Sequence, residues 1–216
     1  MDIFWTILIG LLTSAGITVI VTISALFVAV ILGLALALLR EFSGKAWIRV
    51  AVDAYCELFR NIPALTHLFI IYFGLASLGL RIASVPAAIL GLGLIGAAIT
   101  CDIYRGGYAS LKRGQTEAAL AVGLTPWQTI MLILTPQALR VSLPPLGNYA
   151  LQLMKDTSIV SAIAAPEIMF QARSMVTSSF QTTLIYATAA VIYLVLSFPL
   201  AVLVRRLETH FGQGRA

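Results

Sequence analysis

The residues of this chain whose types and spacing could do chemistry are few, and most are charged. Lys155-Asp156-Thr157-Ser158 sits in a broken apolar segment between Arg140 and Glu167. An ionisable residue inside a membrane span is costly and is a functional candidate by default. Adjacent residues on a helix do not face each other, so Lys155 and Asp156 do not read as one internal ion pair. Two readings stay open. The two charges could meet the carboxylate and amine of a zwitterionic amino acid, with Thr157 and Ser158 adding hydroxyls. Alternatively, each could pair with another helix or subunit. Glu57 and Arg60 are three apart, as are Asp102 and Arg105, so each couple could bond on one helix face. Both couples lie at the ends of apolar segments, which favours a gate or structural role over substrate contact. Glu167 and Arg173 are expected in an external segment, at the outer mouth or in a solvated loop. His67 is expected as a hydrogen-bonded core residue, with path lining as the other reading.

Other chemistries are not expected. Cys56 and Cys101 are far apart with no Cys-x-x-Cys pattern, and His67 and His210 have no nearby ligand partners. Neither a metal site nor a disulfide framework is expected. Gly91-Leu92-Gly93-Leu94-Ile95-Gly96 matches G-x-G-x-x-G, with Glu117 about 20 residues on. A dinucleotide site needs a strand before the glycines. Here they fall mid-span, where glycines let another backbone approach. No G-x-x-x-x-G-K-[ST] occurs, so ATP binding through a P-loop is not expected.

The elements that must position these residues are membrane helices. The chain has 216 residues, 60% hydrophobic and only 11% charged, where a soluble domain carries roughly 25% charged residues. A mean hydropathy of +0.97 agrees. A bilayer core of roughly 30 Å takes about 20 helical residues. The uncharged run Ile3 to Leu39 exceeds one span and carries Thr13, Ser14 and Gly16. It predicts a short interfacial helix up to about Leu12, then a first span. Asn61 to Leu80, opened by Pro63, predicts a second span, and Ile82 to Cys101 a third. Val141 to Met154, interrupted by Pro144, Pro145 and Gly147, predicts an irregular fourth. Leu184 to Val204 predicts the last. The fold class is an all-α membrane protein with five transmembrane helices and one domain over 1–216.

The net charge of +5 is explained by loops. With the N-terminus outside and the C-terminus inside, Arg40, Lys45, Arg49, Arg60, Arg105, Lys112, Arg113, Arg140, Arg205, Arg206 and Arg215 are cytoplasmic. Only Arg81 and Arg173 are external, and Lys155 is within a span. That bias selects the orientation. No basic run is long enough to track a phosphate backbone, so nucleic acid is not an expected partner.

The segment from about 105 to 140 carries the clearest local code. Glu117 to Val122 favours helix, and Gly123 suits the position just past its end. Thr125 is a good N-cap, Pro126 suits the first turn, and Gln128 completes a capping box. The second helix is expected to stop before Pro136. Two short helices joined by a glycine turn make a rigid knob for transmitting motion between subunits. A plain amphipathic loop on the lipid surface is the alternative, and Trp127 and Leu132 would suit it.

Glu117-Ala118-Ala119, then Gly123, Ile133 and Pro136, resemble the EAA loop of ABC importer permeases, with Thr135 in place of the usual Leu. Glu57-Leu58-Phe59-Arg60-Asn61-Ile62-Pro63 and Asp102-Ile103-Tyr104-Arg105-Gly106-Gly107 resemble motifs of the polar amino acid branch, with Asn61, Ile62 and Asp102 departing from it. Pro136-Gln137-Ala138-Leu139-Arg140, Leu143-Pro144-Pro145-Leu146-Gly147-Asn148 and Lys155-Asp156-Thr157-Ser158 are also similar. The resemblance covers about Ile17 to Arg206. It implies that the loop holds a coupling helix docking on a cytoplasmic ATPase, through Glu117, Ala118, Ala119, Gly123 and Pro136. It implies a bacterial inner-membrane importer of amino acids working by alternating access. The partners it implies are a second permease, identical or similar, two ATPase subunits that bind the ATP and Mg, and an extracytoplasmic amino-acid-binding protein. An ion-coupled secondary transporter or channel is the competing class, and a non-transporting scaffold is a third.

Overall fold

A computed structural model describes residues 3–212, and every regular element among them is helical. Helix α1, Ile3–Phe42, is continuous over 40 residues, about 60 Å at about 1.5 Å per residue. The break expected near Leu12 is absent. The Thr13 hydroxyl donates to the Gly10 carbonyl of its own helix, so this polar group needs no interruption of the helix. Helix α2, Ala46–Asn61, turns by 102° into α3, Ala64–Ser77. Pro63 enforces that corner, since it disfavours helix for the residue before it, and Ile62 is extended. Helix α3 contains a π-helical stretch at Ile70–Gly74.

Helix α4, Ser84–Ala109, is the central element. It packs chiefly on α1, and small residues set the approach. A Cβ at Gly33 would strike Thr100 and come within 2.9 Å of the Ala97 carbonyl oxygen. A Cβ at Gly93 would lie 2.8 Å from Val28, and one at Gly96 would meet Tyr149 and Ala29. The Thr100 hydroxyl donates to the Ala29 carbonyl across the seam at 2.6 Å. The glycine-rich stretch is thus a packing surface, as expected from its mid-span position.

Helix α5, Arg113–Ala121, is followed by a capped turn at Pro126–Gln128. That turn continues through a π-helical stretch, Thr129–Leu134, into α6, Thr135–Asp156. The stop expected before Pro136 does not occur. Proline ends a helix by removing a donor and crowding the preceding turn. Here the widened turn lies directly ahead of the ring, and the Gln137 side chain donates to the Ile133 carbonyl at 2.8 Å. Pro144 and Pro145 also lie inside α6.

A 3-10 segment, Thr157–Ile163, follows α6. Helix α7, Ile168–Ser179, and helix α8, Thr182–Gly212, complete the described chain. Glu167 is not a solvated loop residue. It is fully buried and caps α7, accepting from the Met169 and Phe170 amides at 2.9 and 2.7 Å. Tyr193 of α8 donates to the same carboxylate at 2.7 Å. This carboxylate therefore fixes the return from the 3-10 segment to α7 and ties both to α8.

Among the described residues, α1, α4 and α8 are long and apolar enough to cross a bilayer, and the bent α2–α3 pair makes a fourth candidate. Helix α6 is long enough at 22 residues but carries Arg140, Lys155 and Asp156. It packs against α4 and α8, and a polar helix is tolerated in a membrane where protein covers it.

Candidate functional site

Three clusters hold the residues singled out by sequence. The first is the turn between α5 and α6. Gly123 has φ +87°. Its amide donates to the Leu120 carbonyl at 3.0 Å, and the Leu124 amide donates to the Ala119 carbonyl at 3.1 Å. This is a Schellman ending, which requires the left-handed conformation that glycine adopts freely. Thr125 then accepts from the Gln128 amide at 3.3 Å, and the Gln128 side chain accepts from the Thr125 amide at 2.9 Å. The reciprocal box satisfies two donors at the helix start. Glu117 and Ala118 are exposed, as are Leu120, Val122 and Trp127. Ala119 is buried and packs the knob rather than its surface. Pro136 is exposed on the same run of helix.

The second cluster closes one end of the bundle. Arg60 bonds Glu57 at 2.6 Å, and Arg105 bonds Asp102 at 3.0 Å. Both expected couples are therefore present. Arg60 also reaches Asp102 at 2.5 Å, which joins them and clasps α2 to α4. Sequence reasoning missed three further members. Arg40 bonds Asp53 at 3.0 Å and Glu41 at 3.1 Å, and Glu41 and Asp53 lie 3.3 and 3.7 Å from Arg105. The only local signal was Arg40-Glu41 at the end of an apolar run, because the other links join residues distant in sequence. The Arg40 guanidinium, by hydrogen bond, holds the Asp53 carboxyl below the usual carboxylate range. Cys56 and Cys101 lie beneath this network as buried, unlinked thiols. His67 is buried and stacks on Phe59 at 4.7 Å, but neither ring nitrogen has a hydrogen-bond partner. The hydrogen-bonded core histidine expected from sequence is thus buried without its bonds.

The third cluster lies at the end of α6. The four residues Lys155 to Ser158 do not converge on one point. Lys155 and Ser158 line a cavity of about 530 Å³ with Met169, Tyr186 and Tyr193. Asp156 is partly exposed and accepts from Gln152 at 2.8 Å. Thr157 is fully buried, its hydroxyl donating to the Met154 carbonyl at 2.6 Å. In this conformation Thr157 starts the 3-10 segment and offers no free hydroxyl. Among the described residues no metal-ligating cluster is present.

Residues 29–213 match the family described as the binding-protein-dependent transport system inner membrane component. Over 193 residues, 88% of each chain, the sequence is 36% identical to the probable glutamine ABC transporter permease protein GlnM of Bacillus subtilis (strain 168). It is 33% identical over 206 residues, 94% of each chain, to the glutamine transport system permease protein GlnP of Escherichia coli (strain K12). Among solved structures, an amino acid ABC transporter crystallised with histidines superposes with a TM-score of 0.85. That match has 29% identity and covers 93% of this chain and 94% of the other. The inward-facing MetNI methionine ABC transporter shares the fold at a TM-score of 0.79 and 21% identity, over 98% and 99% of the two chains.

Proposed function

This chain belongs to the family of binding-protein-dependent transport system inner membrane components and is a permease subunit of an amino-acid ABC importer, and from that premise we propose how its parts divide the work. The single observation that carries the mechanism is the unbroken helical run from Pro126 to Asp156. At about 1.5 Å per residue it is roughly 45 Å long. One end is the capped knob and the other is the charged Lys155–Ser158 stretch. A displacement imposed on the knob therefore reaches the charged end through one rod.

The knob is the coupling element. Glu117, Ala118, Gly123 and Pro136 form or border its surface, and Ala119 anchors it from inside. Exposed Leu120, Val122 and Trp127 give an ATPase groove something apolar to bind, and the Schellman turn with its capping box makes the surface rigid. The ATPase holds ATP and Mg and supplies the energy of hydrolysis. Helix α6 carries the resulting motion to the substrate path around Lys155, Asp156 and Ser158, with Thr157 as the pivot beneath them. The clasp of Glu57, Arg60, Asp102 and Arg105, extended by Arg40, Glu41 and Asp53, holds α2 across the knob end of the bundle. The chain crosses the membrane five times, N-terminus outside and C-terminus inside, with α6 as the protein-covered crossing. A second permease and an extracytoplasmic binding protein complete the importer. Relatives named for glutamine and L-cystine support a polar amino acid as cargo.

Co-purification tests this reading. The tagged chain, extracted in mild detergent, is expected to bring down an ATPase in stoichiometric amount. Gly123→Pro is expected to release that ATPase while the permease remains folded. A chain that purifies alone and moves a solute down an ion gradient would overturn the assignment.

A further inference from the structure

Helix α2 presents three faces. Val52 and Cys56 are buried against α1 and α4, with Ile48, Tyr55 and Phe59 half-buried beside them. Asp53, Glu57 and Arg60 form a polar face that the clasp engages. Trp47, Val50, Ala51, Ala54 and Leu58 form the third face, apolar and uncovered. They follow Trp47 at three, four, seven and eleven residues, the spacing of one stripe along a helix. Trp47 and Val50 are each 68% exposed. Lys45 and Arg49 stand at the start of α2, both exposed. Four residues apart, they share one side of the helix. Among the described residues neither enters an ion pair. The acid one turn beyond Arg49 is Asp53, which Arg40 and Arg105 already hold.

The direction of α2 says what covers the stripe. Helix α3 packs along α4, which is long and apolar enough to cross a bilayer, and α2 leaves α3 at 102°. Helix α2 therefore runs close to the bilayer plane, at the level of the clasp. A helix with an apolar stripe, a polar face and flanking cations lies among lipid headgroups with its stripe against the acyl chains. Tryptophan belongs at that depth. We infer that Lys45, Arg49 and Trp47 form a seat for the phosphate of an anionic phospholipid, with acyl chains of the same leaflet covering the stripe from Val50 to Leu58. A zwitterionic leaflet would cover the stripe as well but leave both cations without a counter-charge. A protein docking from the aqueous side would meet the polar face, roughly a third of a turn round the helix from the stripe, and the clasp already occupies it. This seat goes beyond the importer reading and requires only that α3 crosses the bilayer.

Fluorescence quenching in vesicles tests this. The full chain carries three tryptophans, so Trp5→Phe with Trp127→Phe leaves Trp47 as the only indole. The vesicles hold equal parts of phosphatidylglycerol and phosphatidylcholine, with bromine on the acyl chains of one lipid or the other. Trp47 is expected to report a preference for phosphatidylglycerol of roughly ten-fold, the size expected of two basic side chains near an anionic surface. Lys45→Gln with Arg49→Gln is expected to bring that preference close to parity. A companion chain that keeps only Trp5, where no Lys or Arg precedes Arg40, is expected to show near parity from the start. Potassium chloride at about 1 M, where the screening length is about 3 Å, is expected to erase the preference without any substitution. Equal quenching of Trp47 by the two lipids overturns the inference. So does a preference that survives the double substitution or the salt, which would assign it to other cations such as Lys112 and Arg113. Inorganic phosphate that abolishes the preference more strongly than chloride of the same ionic strength would make the seat one for free phosphate, and also overturns it. Absence of quenching by either lipid takes α2 off the membrane surface and overturns it too, while ATPase co-purification still decides the importer reading separately.

Discussion

At the scale of single residues, Asp53 is the carboxylate through which pH reaches the clasp. It accepts from Arg40 through both oxygens, at 3.0 and 3.3 Å. Its folded carboxyl is held below the unfolded value, so its stabilising contribution is present above about pH 3.9 and fades as pH falls through the lower folded value. Its side chain is 42% exposed, so solvent screening keeps that contribution to about 1 kcal/mol or less. Melting curves of wild type and Asp53→Asn in detergent are expected to differ at pH 6 and to converge only as pH falls well below about 3.9, through the lower folded value. A gap of constant size across that range would separate Asp53 from any electrostatic role. Residues of this kind mark the edge of what sequence discloses. Gly123, Thr125 and Gln128 were legible because a Schellman ending and a capping box are written within a few residues. The Glu57–Arg60 and Asp102–Arg105 couples were legible for the same reason. Their union through Arg60–Asp102, and the enlistment of Arg40 and Asp53, depends on α2 folding back across α1 and α4. No local spacing encodes that.

At the scale of elements, the seam between α1 and α4 sets the geometry of everything else. Gly33 is the tightest point, with Thr100 and the backbone of Ala97 and Cys101 in the space a Cβ would take. Backbone cannot yield as a flexible side chain would, so Gly33→Ala must push the helices apart. The expected cost is about 1–3 kcal/mol, typical of overpacking. Gly16, on the same helix with nothing within 4 Å of its Cβ position, is the control. Gly16→Ala is expected to be neutral or slightly stabilising, because alanine is the better helix former. Thermal unfolding of the two variants in one detergent reads the difference, and equal melting temperatures would refute the close-approach account. Proline and polar residues misled the reading of elements in two places. Thr13, Ser14 and Gly16 suggested a break, yet α1 runs through them. Pro136 suggested a stop, yet a π-helical turn absorbs it. In both cases the local signal was real, but tertiary packing or a widened turn outweighed it. The helix through Pro144 and Pro145 was legible as an irregular, protein-covered element, and its five-span placement belongs to the proposed topology.

For the whole molecule, the distribution of basic residues and the position of the knob must agree on one orientation. Lys112 and Arg113 open α5, beside the clasp residues Arg40, Arg60 and Arg105, so the knob and most of the cations share one end. Arg173 lies on α7, at the end where α6 finishes. In the proposed orientation, Lys and Arg retained on the cytoplasmic side would put the knob inside, within reach of an ATPase. The opposite orientation would place the knob outside and leave the roughly 45 Å rod with nothing to drive it. Cysteine labelling decides between them. Cys56 and Cys101 are buried, so both can be replaced by alanine to give a silent background. In intact cells stripped of their outer barrier, Arg173→Cys is expected to react with a membrane-impermeant maleimide. Lys112→Cys is expected to react only after the membrane is opened. The reverse pattern would place the exposed apolar cluster of Leu120, Val122 and Trp127 against the extracytoplasmic partner, and would make it a dock for the binding protein instead of the motor.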